Sequence, residues 1–309
     1  MTKDLAIIKK ETADIVANRV RQYHESGELH LPEKYSPENA VKQAWLILQE
    51  TLDKNKKPVL ETCTKISIAN SLLDMVVQAL NPMKKQCYFI AYGNKLACQR
   101  SYFGTMAVTR RVDPTISDIV PEIIYEGDKF EYEIIRGKKV VVSHKQTLEN
   151  IDGKKIKAAY CMIINDDGTV RDTEIMTMDE IKGAWKQSKM YPVTDKGEIK
   201  AGSTHDKFTA EMAKKTVINR ACKKIINSSD DSDLFLKTVR KADELNTESE
   251  VKEDVGKNAN QEFIDISPEM EMEEEPDQGA EPPGDGMTEE EQAEIEAAEQ
   301  AEAEQGPGY

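Results

Sequence analysis

Between Gln86 and Met176 the chain alternates short runs rich in Val, Ile and Tyr with Gly, Asn and Asp breaks, while the stretches on either side carry apolar residues at helical spacing. A strand repeats every two residues and a helix about every 3.6, so this switch of period confines the chain to an α+β fold, a mainly antiparallel sheet packed with helices. The β runs are Gln86 to Tyr92 and Lys95 to Arg100 around Gly93-Asn94, then Ser117 to Tyr125, Lys129 to Ile135, Lys138 to Ser143, Ile156 to Asn165 and Val170 to Met176. Gly93-Asn94 suits a two-residue hairpin turn. Glu126-Gly127-Asp128, Gly137 and Asp166-Asp167-Gly168 punctuate the rest, and the last of these is expected to be a type I′ turn.

Helical spacing runs from Asp4 to about Ser26, after the Ser36-Pro37 start signal, and from about Thr64 to Leu80, where Asn81-Pro82 ends it because the residue before proline resists helical geometry. It returns at Thr177 to Ser188 and His205 to Asn227, separated by a Pro192 to Gly202 loop expected to be mobile. The expected organisation is a helical region over 1–55, a core over 56–243 and a tail over 244–309.

Charge is divided along the same lines. From Lys241 onward three basic residues face 24 acids, a net of −21, whereas the rest of the chain carries +6. The overall −15 therefore conceals a basic body, which suits a polyanionic partner. The tail sequence EMEMEEEPDQGAEPPGDG is too acidic and too rich in Pro and Gly to repay the entropy of folding, and disorder is expected there. Five cysteines with no CxxC pair point to reduced thiols. The highly charged start and the lack of any run of about 18 apolar residues predict a cytoplasmic protein with no membrane span.

Two stretches, ALNPMKKQCYFIAYGNKLACQRSYFGTMAVTRR (Ala79 to Arg111) and FTAEMAKKTVINRACKKI (Phe208 to Ile225), resemble the signature regions of the RecT family of single-strand annealing recombinases. The resemblance covers roughly Thr64 to Ile226 and departs from the family pattern at Ala91, Ser101, Thr109 and Asn219, as in a divergent member. It implies a fold related to the lambda Red beta annealing protein and to eukaryotic strand-annealing mediators. It further implies a phage or prophage protein of a bacterial host that assembles as rings or helical filaments on single-stranded DNA, holds an annealed duplex intermediate, and works beside a partner exonuclease and a host single-strand-binding protein. The family pattern also favours Lys215 as a DNA contact.

Annealing requires cations along a groove, close backbone approach and flat side chains against sugars or bases. On the Phe208 to Asn227 helix, Thr209, Ala213, Thr216, Arg220, Lys223 and Lys224 share one arc opposite Val217, Ile218, Ala221, Ile225 and Ile226. In the first signature Arg100, Tyr102, Arg110 and Arg111 combine guanidinium charge with an aromatic ring, and Gly104 would let helix amides approach a phosphate. Each has a plainer reading: Tyr102 as a core aromatic, the arginines as surface charge, and Tyr92 and Lys95 as turn residues at the hairpin tip. Lys84 and Lys85 are expected to face solvent.

Catalytic motifs do not emerge: four scattered His, no HExxH, no GxSxG and no GxxxxGK[ST] loop. The expected activity is ATP-independent annealing without catalysis or cofactor, with any Mg²⁺ associating through the DNA and the dependence on it left open by the sequence. The alternatives are a single-strand DNA or RNA binding protein that does not anneal, and a metal-dependent nuclease.

Overall fold

A computed structural model describes residues 2–187, 192–229 and 233–246. Helix α1 spans Thr2–Glu25 and α2 spans Pro37–Glu50, the latter capped by Ser36 Oγ accepting from the Asn39 amide at 3.2 Å. Its Ala40, Ala44, Trp45 and Leu48 are buried at helical spacing. A four-residue helix α3 (Val59–Thr62) leads into α4 (Lys65–Val77), capped by Thr64.

Helix α4 stops short of the Asn81-Pro82 signal. Ala79 takes a left-handed φ of 51°, and the amides of Ala79 and Leu80 close on the carbonyls of Val76 (2.8 Å) and Met75 (3.0 Å). This double closure satisfies carbonyls that the helix would otherwise leave open and drops Leu80 fully into the core.

The β runs fall where the sequence puts them, but they form three separate antiparallel sheets rather than one. Strands β1 (Cys87–Tyr92) and β2 (Lys95–Arg100) pair in register across Gly93-Asn94, with Gly93 at φ 61°. Helix α5 (Tyr102–Val112) follows directly. Strands β3 (Ile116–Tyr125), β6 (Ile156–Asn165) and β7 (Val170–Thr177) form the central sheet in the order β3-β6-β7.

Strands β4 (Lys129–Ile135) and β5 (Lys138–Lys145) make a separate hairpin closed by Arg136 and Gly137, both at positive φ (51° and 80°), the pattern of a type I′ turn. The Asp166-Asp167-Gly168 turn, expected to be type I′, is different. Only Gly168 has positive φ (78°), and Asn165 and Thr169 bracket a three-residue loop. One left-handed residue is enough there because the loop is one residue longer.

Both margins of the central sheet are modified. Pro121 lies within β3, an outer strand, where a missing N–H costs no ladder bond. Along β7, Lys138 and Lys139 of the neighbouring hairpin donate from Nζ to the carbonyls of Arg171 (3.1 Å) and Ile175 (2.9 Å). The base of that hairpin is fixed by Asp128, whose enclosed carboxylate accepts from the Tyr125 amide (2.8 Å) and Gln146 Nε2 (2.8 Å) and contacts His144 Nε2 and Asn150 Nδ2 (3.2 Å each).

Helix α6 (Met178–Lys186) begins with a reciprocal capping box between Thr177 and Glu180. Within the Pro192 to Gly202 segment, expected to be a mobile loop, an isolated bridge pairs Val193 with Ile199, and Val193 is buried. The single helix expected over His205 to Asn227 is two, α7 (Thr204–Lys207) and α8 (Thr209–Asn227). They break at Phe208, whose φ −126° and ψ 45° leave helical geometry. Helix α9 (Asp233–Asn246) closes the described chain, and the acidic segment 247–309 lies outside the described residues.

One main hydrophobic cluster joins Val16 (α1), Trp45 and Leu48 (α2), Leu72 and Met75 (α4), Ile119 and Ile123 (β3), Ile163 (β6), Met176 (β7), Val217 and Ile218 (α8), and Phe235 and Val239 (α9). Each such side chain contributes about 1.5–3 kcal/mol on burial, so the N-terminal helices, the sheet and α8 are held by the same core. Among the described residues all five cysteines are free and buried, and no helix is long and apolar enough to cross a membrane.

Candidate nucleic-acid interface

The twelve residues assigned from sequence separate into an interior group and a surface group. Arg100 is interior, with 1% of its side chain exposed. It donates to Gln78 Oε1 (2.6 Å) and Thr105 Oγ1 (3.3 Å) and pairs with Asp243 of α9. Burial lowers the Arg100 pKa, an effect opposed by Asp243. Tyr102 is 5% exposed and stacks on Phe103 with ring centroids 4.1 Å apart.

Gly104 is buried in the first turn of α5, where its amide donates to Ser101 Oγ at 3.1 Å. A Cβ on Gly104 would lie 2.1 Å from the Gln86 carbonyl oxygen, so the missing side chain lets α5 seat on the β1–β2 hairpin. In this conformation, then, Arg100, Tyr102 and Gly104 do not present a groove surface. Arg111 points inward too: it donates to the carbonyls of Val77 (2.6 Å) and His30 (2.8 Å) and lies 4.5 Å from the Phe235 ring centre. It thereby binds an open carbonyl at the end of α4, where positive charge is also favoured by the helix dipole.

Three of the four positions at which the sequence departs from the family pattern have structural uses. Ser101 caps α5 while donating to the Lys85 carbonyl at 2.6 Å, and Thr109 is fully buried with its hydroxyl on the Thr105 carbonyl. Ala91 faces the core at 4% exposure.

The surface group begins with Arg110, whose Nη2 is 3.1 Å from Asp118, and with Lys95 at the exposed hairpin tip beside half-buried Tyr92. Lys84 and Lys85 are exposed as expected. On α8 the arc expected to be open is open only in its last two turns. Ala213 is fully buried and Thr209 half-buried, and Thr216 accepts from Trp185 Nε1 at 2.8 Å because α6 lies across this end of the helix. Lys215 is half-buried beside it. Arg220, Lys223 and Lys224 are exposed, and Val217, Ile218, Ala221 and Ile226 are buried behind them.

The exposed cations converge on β7. Glu174, with a side chain 9% exposed, has Oε1 3.4 Å from Arg220 Nε and Oε2 in contact with Lys224 Nζ, which also lies 3.9 Å from Asp172. Glu180 is held below the usual carboxylate range, chiefly by the Thr177 amide, with added attraction from Lys139 and Arg220. Lys138 and Lys139 thus bring hairpin cations to the same strand that α8 reaches from the other side. The sequence reading had not assigned them; the available signal was the Lys-Lys pair directly after the Arg136-Gly137 turn. Arg171 at the start of β7 pairs with Asp113.

The arrangement is a basic margin built from α8 and the β4–β5 hairpin around β7, in which Arg220 and Lys224 rest on carboxylates and Lys138 and Lys139 on carbonyls. Exposed ion pairs such as Arg110–Asp118 are worth about 0–1 kcal/mol each, so a phosphate can replace such a partner at small cost, whereas Glu174, the partner of Arg220 and Lys224, is itself nearly buried. Among the described residues no group of three or more His, Cys, Asp or Glu is placed to hold a metal ion.

The sequence profile of the RecT family matches residues 38–256, which takes in every element from α2 to α9. No curated protein matches the chain.

Proposed function

The chain belongs to the RecT family, whose activity is single-strand annealing in recombination, and on that premise we propose that it coats single-stranded DNA and pairs it with a complementary strand without ATP. The observation that carries the reading is the row Arg220, Lys223 and Lys224, exposed on the open end of α8 with the buried Val217 and Ala221 behind it. Phosphates lie along such a row while base edges stay free for pairing. Arg110 on α5, which packs against α8, and Lys215 and Thr216 on α8 itself stand beside this row, Lys138 and Lys139 reach β7 from its other side, and Lys95 and Tyr92 lie at the separate β1–β2 tip.

Subunits lined up on one strand continue the groove, and a second strand is sampled until stacking, about 1.4 kcal/mol per step, holds the register. The DNA supplies the driving force, so neither a nucleotide cofactor nor catalysis enters, and any Mg²⁺ arrives with the phosphates. A phage or prophage setting in a bacterial cytoplasm, a ring or filament of subunits, an exonuclease that supplies single strands and a host single-strand-binding protein complete the proposal.

The test mixes complementary fluorescent oligonucleotides without ATP and follows duplex formation. Faster pairing supports annealing. Binding that slows pairing supports a single-strand binding protein instead, and Mg²⁺-dependent cleavage abolished by EDTA would make it a nuclease.

A further inference from the structure

The α8 row has a built-in competitor. Arg220 and Lys224 stand one helical turn apart and each engages a different oxygen of the same carboxylate, that of Glu174. Their own side chains are 54% and 53% exposed, while Glu174 is 9% exposed. Residues alternate faces along a strand, so Asp172, Glu174 and Met176 of β7 share the face turned to α8, and Met176 there is almost fully buried. A carboxylate in such a place loses hydration that only close cations restore. One anion bridging two surface cations is also the geometry that a backbone phosphate would adopt on the same pair.

We propose that Glu174 is an intramolecular stand-in for a DNA phosphate, and that strand binding at Arg220 and Lys224 proceeds by displacing it. This rests on the reading of α8 as the DNA-binding row and adds to it a residue that sets the affinity. A strand must offer a better anion than the one already there, so weak or isolated anions leave the pair closed and a polyanion opens it. Salt dependence changes accordingly: in the wild type, binding frees a tethered carboxylate, whereas cations without Glu174 hold solution anions and release them to the bulk.

The experiment compares full-length wild type, E174Q and the R220A/K224A double variant for binding to a fluorescent oligothymidylate across a salt series, with thermal melts alongside. Glu174→Gln keeps the shape and the capacity to accept hydrogen bonds but removes the charge. The expected result is binding about fivefold tighter at low salt, the gain shrinking as salt rises, and a steeper logarithmic salt slope, because solution anions released from the freed cations add to the counterions that the strand itself releases.

Unchanged affinity and slope in E174Q, with weaker binding in R220A/K224A, would overturn the proposal and leave the DNA-binding row standing. Weaker binding in E174Q would overturn it as well, since Glu174 would then be orienting the cations for DNA. Wild-type binding by R220A/K224A would remove the row itself. Should E174Q melt well below wild type, Glu174→Asp provides the second reading. It keeps the charge but draws the carboxylate back from both cations, and it is expected to tighten binding in the same direction by a smaller factor; no tightening there counts against the proposal.

Discussion

Arg100 of β2 and Asp243 of α9 meet as an ion pair across 143 positions of sequence, with the guanidinium almost wholly buried. Removing one partner of a buried pair leaves a charge without compensation. Asp243→Ala is therefore expected to lower stability by about 3 kcal/mol, reduced from the fully buried range because a quarter of the Asp243 side chain meets solvent. Urea unfolding followed by circular dichroism measures it, and a loss below about 1 kcal/mol would show that Gln78 and Thr105 suffice to hold Arg100.

On α8, removing Arg220 and Lys223 together is expected to weaken single-strand binding and to flatten its logarithmic salt slope by about 1.4, at about 0.7 per phosphate contact. Val217, fully buried behind them, gives the contrasting result: Val217→Asp forces a charge into the core and should unfold or aggregate the protein. Fluorescence anisotropy over a salt series and a thermal melt separate the two.

Tyr102 provides a test of interior against surface. At 5% exposure, Tyr102→Ala should cost about 3–5 kcal/mol of stability, as for other large aromatic truncations in a core. Any loss of DNA binding should disappear when affinities are compared for the folded fraction alone. A stable Tyr102→Ala protein with weakened binding would return this ring to the DNA path.

The Asp128 cluster predicts a pH dependence. Burial alone would raise the Asp128 carboxyl, but hydrogen bonds from Gln146, the Tyr125 amide, His144 and Asn150 outweigh it and hold the group below the usual carboxylate range. A depressed folded pKa adds stability above the unfolded value of about 3.9 and forfeits it as pH falls through the folded value. Asp128→Asn should therefore be less stable at neutral pH and lose less of its stability on acidification. Urea midpoints from pH 7 down to pH 3 should show the two proteins converging.

The acidic segment beyond Asn246, outside the described residues, bears most of the −21 counted from Lys241. Tethered to a body of +6, it is expected to compete with DNA for basic surface at high effective concentration. Deleting residues 247–309 keeps Asp243 in place and should tighten DNA binding at low salt, with the difference fading as salt screens the contact. Equal affinities across the whole salt series would leave the tail as a solubilising or docking segment.

The strands were legible because period and turn residues act locally. Gly93-Asn94 and Gly137 lie between runs whose boundaries the structure shifts by no more than two residues. The end of α4 was less so, because Ala79 adopts a left-handed conformation usually reserved for glycine. The candidate site was half legible. A helical wheel separates Arg220 from Val217, yet it carries no information about α6 laid across Thr216 or β7 acids beneath Lys224. For Arg100 and Arg111 the partners that turn them inward, Asp243 and Phe235, lie more than a hundred residues away in sequence, beyond the reach of local pattern.

The closed margins of the central sheet, Pro121 on β3 and the lysine-capped carbonyls of β7, limit how copies of this chain join. A sheet finished at both edges resists extension by a neighbour's strand. Protomers that line up on DNA, as proposed, would not do so by extending the central sheet, which leaves side-chain faces and the two separate hairpins as the surfaces on which to meet. Assemblies joined in that way would grow and shorten by docking whole units, a subunit leaving a finished duplex without unravelling the central sheet of the next.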